Sequence, residues 1–399
     1  MDAREQRGLM IAATCRIDRK DGVWLVPSQS AADRKYAVNL EAKTCNCPDC
    51  TDGGFVCKHV HAVMITLKRE LGIDGRITET RTLTVTEKVT YPQDWPAYNA
   101  AQVNEKDRFQ ELLHGLCRDI PQPPRQPEKT GRNATLFSDS VFGMVFKVYS
   151  TVSTRRFMSD LRAAREKGYL TKPIHYNSIC HYMENPACTP ILNDLVIKAS
   201  LPLKAVESVF VPDSTGFSTS RYVRWFDEKY GVERSGHDWV KVHVMTGVRT
   251  NVVTAVEIHG RHANDAPLFG RLVKTTAENF TIKEIPADKA YLSVQNLETA
   301  LQVGAVPYIP FKVNSTPEQG GVWERMFHYF SLNRETFHKH YHQRSNVEST
   351  FSMMKAKFGS HVRSRTDVSM KNECLCKVLC HNVCCLVSAM YELGIEPNF

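Results

Sequence analysis

A chain of 399 residues is long enough for roughly two or three domains with a sizeable core. Hydrophobic residues make up 42% and charged residues 24%, a balance that excludes a disordered or membrane-embedded class. The formal net charge of +8 is modest but unevenly placed: from Asn333 to Lys371 eight Lys and Arg stand against three acids, which suggests a polyanionic partner such as DNA.

Met1 to Arg7 is polar with no apolar leader after it, and Val378 to Met390 is interrupted by His381 and Asn382 and too short to span a bilayer. The expected setting is therefore cytoplasmic, on the nucleoid when DNA is bound, with no membrane partner. The thirteen cysteines are odd in number and fall mainly in two clusters. In a reducing compartment they read as metal ligands or small buried hydrophobes, not as a disulfide framework.

Residues 1–75 open with two strand-like runs, Val23 to Val26 and Tyr36 to Leu40. Then come Cys45-Asn-Cys47-Pro-Asp-Cys50, a Gly-bearing loop, Cys57-Lys-His59-Val-His61 and an apolar helical run. Thiolates and imidazoles in two short pairs suit one tetrahedral zinc ion. The pattern resembles the SWIM zinc finger, with ligands running Cys-x-Cys, a variable loop, then Cys-x-His. The resemblance puts Cys45, Cys47, Cys57 and His59 on the metal in a small ββα module. It leaves Cys50 and His61 spare, although Cys47-x-x-Cys50 is also a zinc-knuckle spacing.

Residues 76–132 read as linker and helix: a polar stretch from Thr78 to Asp94, an amphipathic helix from Asn104 to Cys117, and the stiff breaker Pro121 to Pro127. Residues 133–203 read as four short helices, capped in turn by Ser138 or Asp139, Ser153 or Thr154, Asn177 or Ser178, and Thr189. The second carries Arg155, Arg156, Arg162, Arg165 and Lys167 around Phe157 and Leu161. It reads either as part of a helical DNA-binding region, of helix-turn-helix type, or as a helical cap with a solvated basic face.

Residues 204–399 switch to alternating strands and helices. Val206 to Val211 is strand-like and ends at Asp213, and Trp239 to Met245 with Val252 to Ile258 forms a hairpin. A helix over Ala266 to Phe280, a strand over Ile282 to Ala287 ending at Asp288, a helix over Val294 to Val303 and a strand over Val306 to Phe311 follow. This is the pattern of an α/β fold with a mixed sheet. Further on, Tyr341, Arg344, Glu348 and Lys355 are spaced by three, four and seven residues, which puts them on one face if the whole run is a single helix.

Ends of central strands are where α/β folds place their chemistry, and three carboxylates can surround a pair of divalent cations. Asp213-Ser-Thr, Ala-Asp288-Lys-Ala-Tyr and Tyr341-x2-Arg344-x3-Glu348-x6-Lys355 together resemble the insertion-sequence transposases with a DDE catalytic core. The resemblance covers roughly the C-terminal half and implies an RNase H-like fold. It further implies that Asp213, Asp288 and Glu348 hold two Mg²⁺ or Mn²⁺ ions, and that Tyr341, Arg344 and Lys355 contact DNA phosphates. Its activity would be cleavage at a transposon end followed by strand transfer, by a homodimer that pairs two ends. Asp265 is the alternative second acid, its bland role being the cap of the following helix. Trp323 reads as core rather than as a base-stacking residue, and Cys374, Cys376, Cys380, Cys384 and Cys385 read as packing in an apolar helix.

Overall fold

In a computed structural model the described residues are 3–29, 34–70, 94–123, 135–219 and 239–399. The linker expected over Thr78 to Asp94 lies outside them except for Asp94, as does most of the proline-rich breaker. The chain divides into two compact units, one of Met1–Tyr91 with Ile309–Tyr341 and one of Pro92–Tyr308 with His342–Phe399.

The first unit carries an antiparallel sheet of β1 (Asp18–Lys20), β2 (Val23–Pro27), β3 (Lys35–Asn39) and β4 (Thr44–Cys45), ordered as in the sequence. Trp24 and Val26 on β2 and Tyr36 and Val38 on β3 turn inward with the period of a half-buried sheet. The helix Lys58–Glu70 packs on β2, β3 and β4, and the helix Ala3–Thr14 packs on it in turn. These two helices approach closely at Gly8, where an added Cβ would lie 2.5 Å from the His61 Cβ. In the same unit the helices Gly321–Leu332 and Arg334–Tyr341 bury Phe327, Phe330 and Phe337. Trp323 is part of that core, with its ring edge-on to Phe311 at 4.9 Å and its indole N–H donated to the Thr316 carbonyl.

The second unit holds β5 (Phe210–Ser218), β6 (Trp239–Gly247) and β7 (Val253–Gly260) as an antiparallel sheet, and β8 (Glu284–Pro286) with β9 (Val306–Tyr308) as a parallel pair. A single parallel bridge between Val209 and Glu284 joins them, so strand order runs β7-β6-β5-β8-β9. The expected hairpin is present. Asp213 departs from expectation: it lies within β5, paired with Val244 of β6, not at the end of a strand. Asp213 and Gly216 are poor strand formers held extended by a continuous partner, so tertiary pairing overrides propensity.

Four helices do occupy the segment before β5, as Phe137–Ser150, Met158–Glu166, Tyr176–Met183 and Cys188–Ser200. Their N-cap residues are Leu136, Phe157, His175 and Ala187 rather than the expected Ser, Thr, Asp and Asn, and only His175 supplies a side-chain cap. Burial of their apolar faces stabilises these starts instead. They share one core with the helices Trp95–Arg118 and Asp367–Glu392.

The 26-residue helix Asp367–Glu392 runs through that core and is started by a capping box of Thr366 and Ser369. It is long and apolar enough to cross a membrane, but 78% of its most apolar window is buried inside the protein. The polar residues that interrupt it have partners: His381 meets the Asn251 carbonyl at 2.8 Å, and Asn382 bonds Val253 and Val196. Cys374, Cys376 and Cys380 are fully buried along it, as packing residues are.

Candidate active site and metal centre

In the first unit β4 ends at Cys45, Cys47 precedes the short helix Pro48–Thr51, and Cys57 precedes the helix that carries His59 in its first turn. All four are buried, and their ligand atoms lie within 4.8 Å of one another. The His59 Nδ1 is 3.8 Å from the Cys45 Sγ and 3.7 Å from the Cys57 Sγ. Tetrahedral zinc at its usual bond lengths would set sulfur and nitrogen about 3.6 Å apart, so the donor set fits a soft dication. Hydrogen bonding from Cys45 lowers the pKa of the Cys57 thiol and so favours its thiolate. Cys50 has another role: its sulfur accepts the Cys45 amide at 3.3 Å.

The second unit gathers acids from four separated stretches. Asp213 on β5 accepts the Ser214 amide at 2.8 Å and lies 3.7 Å from the Arg344 guanidinium. Burial raises its carboxyl above the usual range, and the charges of Asp265 and Asp288 add to this while Ser214 and Arg344 oppose it. Asp288 directly follows β8 by one residue and caps the 3-10 turn Lys289–Tyr291 by accepting the Ala290 amide at 2.9 Å. Glu348 is exposed in the first turn of the helix Asn346–Phe358, 3.3 Å from the other side of Arg344. One guanidinium thus lies between two carboxylates.

Tyr341 to Lys355 is not one helix, contrary to expectation. The helix Arg334–Tyr341 gives way to a 3-10 turn, His342–Ser345, before Asn346–Phe358 begins. The Ser345 hydroxyl donates to the His342 carbonyl, and the Asn346 side chain donates to the Val248 carbonyl, so side chains here compete with helical bonding. Arg344 therefore sits in the turn, while Glu348 and Lys355 share the following helix. Lys355 is half-buried, its ammonium 5.8 Å from the centre of the Phe217 ring, and burial lowers its pKa. Tyr341 closes the earlier helix, in the first unit, with its ring 6.1 Å from that of His338.

Two further groups stand in this cluster: Asp265, the alternative second acid, and Tyr291, which the sequence did not single out. Asp265 precedes the turn Ala266–Leu268 without a side-chain cap, so its expected bland role is absent. Instead it lies 2.8 Å from the Lys241 ammonium and 3.1 Å from the His243 Nδ1, both on β6. Burial pushes its carboxyl up, but hydrogen bonds from Lys241 and Ser214 and the Lys241 charge outweigh this and leave it lowered. His243 is fully buried and pushed down to about 4 by burial, with Asp265 opposing, so the ring is neutral at pH 7. Tyr291 is also buried, and among the described residues its hydroxyl has no hydrogen-bond partner. Its pKa is raised by burial and then by the charges of Asp265, Asp213 and Asp288, which places the phenol beside all three acids. It belongs to the quoted Ala-Asp-Lys-Ala-Tyr run, the one signal that could have singled it out.

A cluster of like charges whose space attracts a guanidinium is chemically suited to hard cations, since carboxylate oxygens are their preferred donors. Residues 204–383, just under half of the chain, match a protein-family model described as a transposase DDE domain. No curated protein matches the chain.

Proposed function

We propose that the chain is a DDE transposase of an insertion sequence, acting on DNA in the cytoplasm. Its second unit would be an RNase H-like catalytic core, a reading supported by the strand order β7-β6-β5-β8-β9 with one parallel join. The observation that supports the proposal is that Arg344 lies beside both Asp213 and Glu348, with the charge of Asp288 felt at Asp213, inside the stretch that matches the transposase DDE domain.

In this reading Asp213, Asp288 and Glu348 hold two Mg²⁺ or Mn²⁺ ions. Bound there, the ions supply activation of the attacking oxygen and stabilisation of the leaving oxygen in an in-line displacement at phosphorus. Arg344 leaves the carboxylates and turns its planar fork to a DNA phosphate, Lys355 offers a point charge to another, and Tyr341 supplies a hydroxyl. The same carboxylates serve hydrolysis at the transposon end and attack of the freed 3′-OH on target DNA, because both are displacements of one kind. Two copies would pair the two ends. The Cys45, Cys47, Cys57 and His59 cluster holds one structural zinc ion in a SWIM-like module.

The test is incubation of the purified chain with the end DNA of its own element and a target plasmid, in Mg²⁺ or EDTA. Metal-dependent joined products are expected. Cleavage without joining would make it a nuclease on the same fold, and tight end binding with no cleavage would make it a non-cutting regulator.

A further inference from the structure

A cavity of about 450 Å³ opens in the second unit beyond Lys355, lined by Lys147, Thr154, Phe358, Arg363, Arg365 and Lys377 among others. Its cations outnumber its acids. Of the two acids on its wall, Glu373 is committed to the backbone, accepting the amides of Arg363 at 2.9 Å and Ser364 at 2.8 Å; the other is Glu184. Lys377 is likewise committed, donating to the carbonyls of Gly359 at 2.9 Å and His361 at 2.7 Å. Those bonds fix the loop that presents Arg363 and Arg365. Arg363 donates to the Val152 carbonyl, whereas the side chains of Lys147 and Arg365 make neither a hydrogen bond nor an ion pair among the described residues. Burial and the neighbouring Arg363 push the Lys147 ammonium down to about 8. A half-buried cation whose opposing charge, Glu373, is taken up by backbone amides is costly, and an anion in the cavity would relieve it.

The cavity is tied to the acid cluster by β5. Ser218, at the end of that strand, donates its amide to the Ser360 carbonyl at 3.1 Å and accepts the Val362 amide at 2.9 Å. Phe217 beside it lies under both Lys355, at 5.8 Å, and Lys377, at 4.9 Å. Asp213 and Ser218 share one strand, and five residues of extended chain span ~17 Å. Phosphates of one duplex strand that far apart in space are separated by a few nucleotides.

We propose that this cavity grips a backbone phosphate of the bound DNA, a few nucleotides from the cleaved bond, through Lys147 and Arg365. The assignment deepens the DNA-processing reading and rests on it. Thr154 supplies a hydroxyl to the same phosphate, and Phe358 forms the apolar wall against the sugar.

The test is fluorescence anisotropy of a labelled end duplex over a range of salt, with the full-length chain and a Lys147→Gln, Arg365→Gln double variant. Loss of this one phosphate contact lowers the slope of log affinity against log salt by about 0.9, so a reduction of about 1 is expected. In a scan of single neutral methylphosphonates along the end duplex, one position a few nucleotides from the cleavage site should weaken binding of the parent chain and leave the variant unaffected. Melting of the variant is checked alongside, and neither side chain has a bond to lose. An unchanged slope in a variant that folds overturns the proposal while leaving the transposase reading intact. Protection of the parent chain alone by dAMP, with an unchanged duplex slope, overturns it in favour of a free nucleotide. Failure of the parent chain to bind any duplex overturns both readings.

Discussion

Asn382→Leu should destabilise the second unit more than its similar volume suggests. Asn382 is fully buried, accepts the Val253 amide at 2.8 Å, and donates to the carbonyls of Val253 at 2.7 Å and Val196 at 3.0 Å. One side chain thus binds β7, the helix Cys188–Ser200 and the helix Asp367–Glu392 together. Three lost hydrogen bonds cost about 3 kcal/mol, and the stranded Val253 N–H adds about 1–3 kcal/mol. Burial of the leucine returns about 1–2 kcal/mol, leaving a net loss of about 3 kcal/mol. For a unit of this size that is a fall in Tm of roughly 6–12 °C. Differential scanning calorimetry of the full chain can follow the transition of the larger unit separately from that of the smaller. A fall of less than about 3 °C would refute the view that this amide holds the edge of the sheet to the helical core.

Asp213→Asn should abolish cleavage and yet raise the Tm at neutral pH. Because the folded carboxyl is raised, its stabilising contribution is complete below the unfolded value near 4 and is lost as pH rises through the folded one, so the gain from Asn should vanish in acid. Metal analysis of the purified chain should find one zinc per molecule, lost in Cys57→Ser and retained in Cys50→Ser. Gly8→Ala should destabilise the first unit by about 1–3 kcal/mol in urea denaturation, because the new methyl meets the His61 Cβ at 2.5 Å. Asp265→Asn should reduce cleavage far less than Asp288→Asn, measured under single turnover, because Lys241 and His243 already hold Asp265.

Where sequence reading succeeded, the information was local. The β6–β7 hairpin announced itself by alternating valines, the four zinc-type ligands by their pair spacing, and the cysteines of the long helix by an apolar background that left them no other role. Asp288 was legible at a strand end because a short apolar run stops there. Where it missed, distant partners decided. β5 extends through Asp213 because β6 pairs with it throughout, and the break at His342–Ser345 is accompanied by hydrogen bonds from Asn346 to Val248 and from Thr350 to Asn251. Asp265 and Tyr291 are separated in sequence from Asp213, so only the fold brings their charges together. The polar interruptions at His381 and Asn382 read as breaks in an apolar run, although they are the bonds that fix a core helix.

Asp213, Asp288 and Glu348 are proposed to form one phosphoryl-transfer site. Its most direct measurement is single-turnover cleavage of the element's end duplex in Mg²⁺ by the parent chain and by Asp213→Asn, Asp288→Asn and Glu348→Gln. Each variant should lose at least about a thousandfold in rate while binding the duplex as the parent does. An Asp288→Asn chain that cleaves at the parental rate would contradict the account.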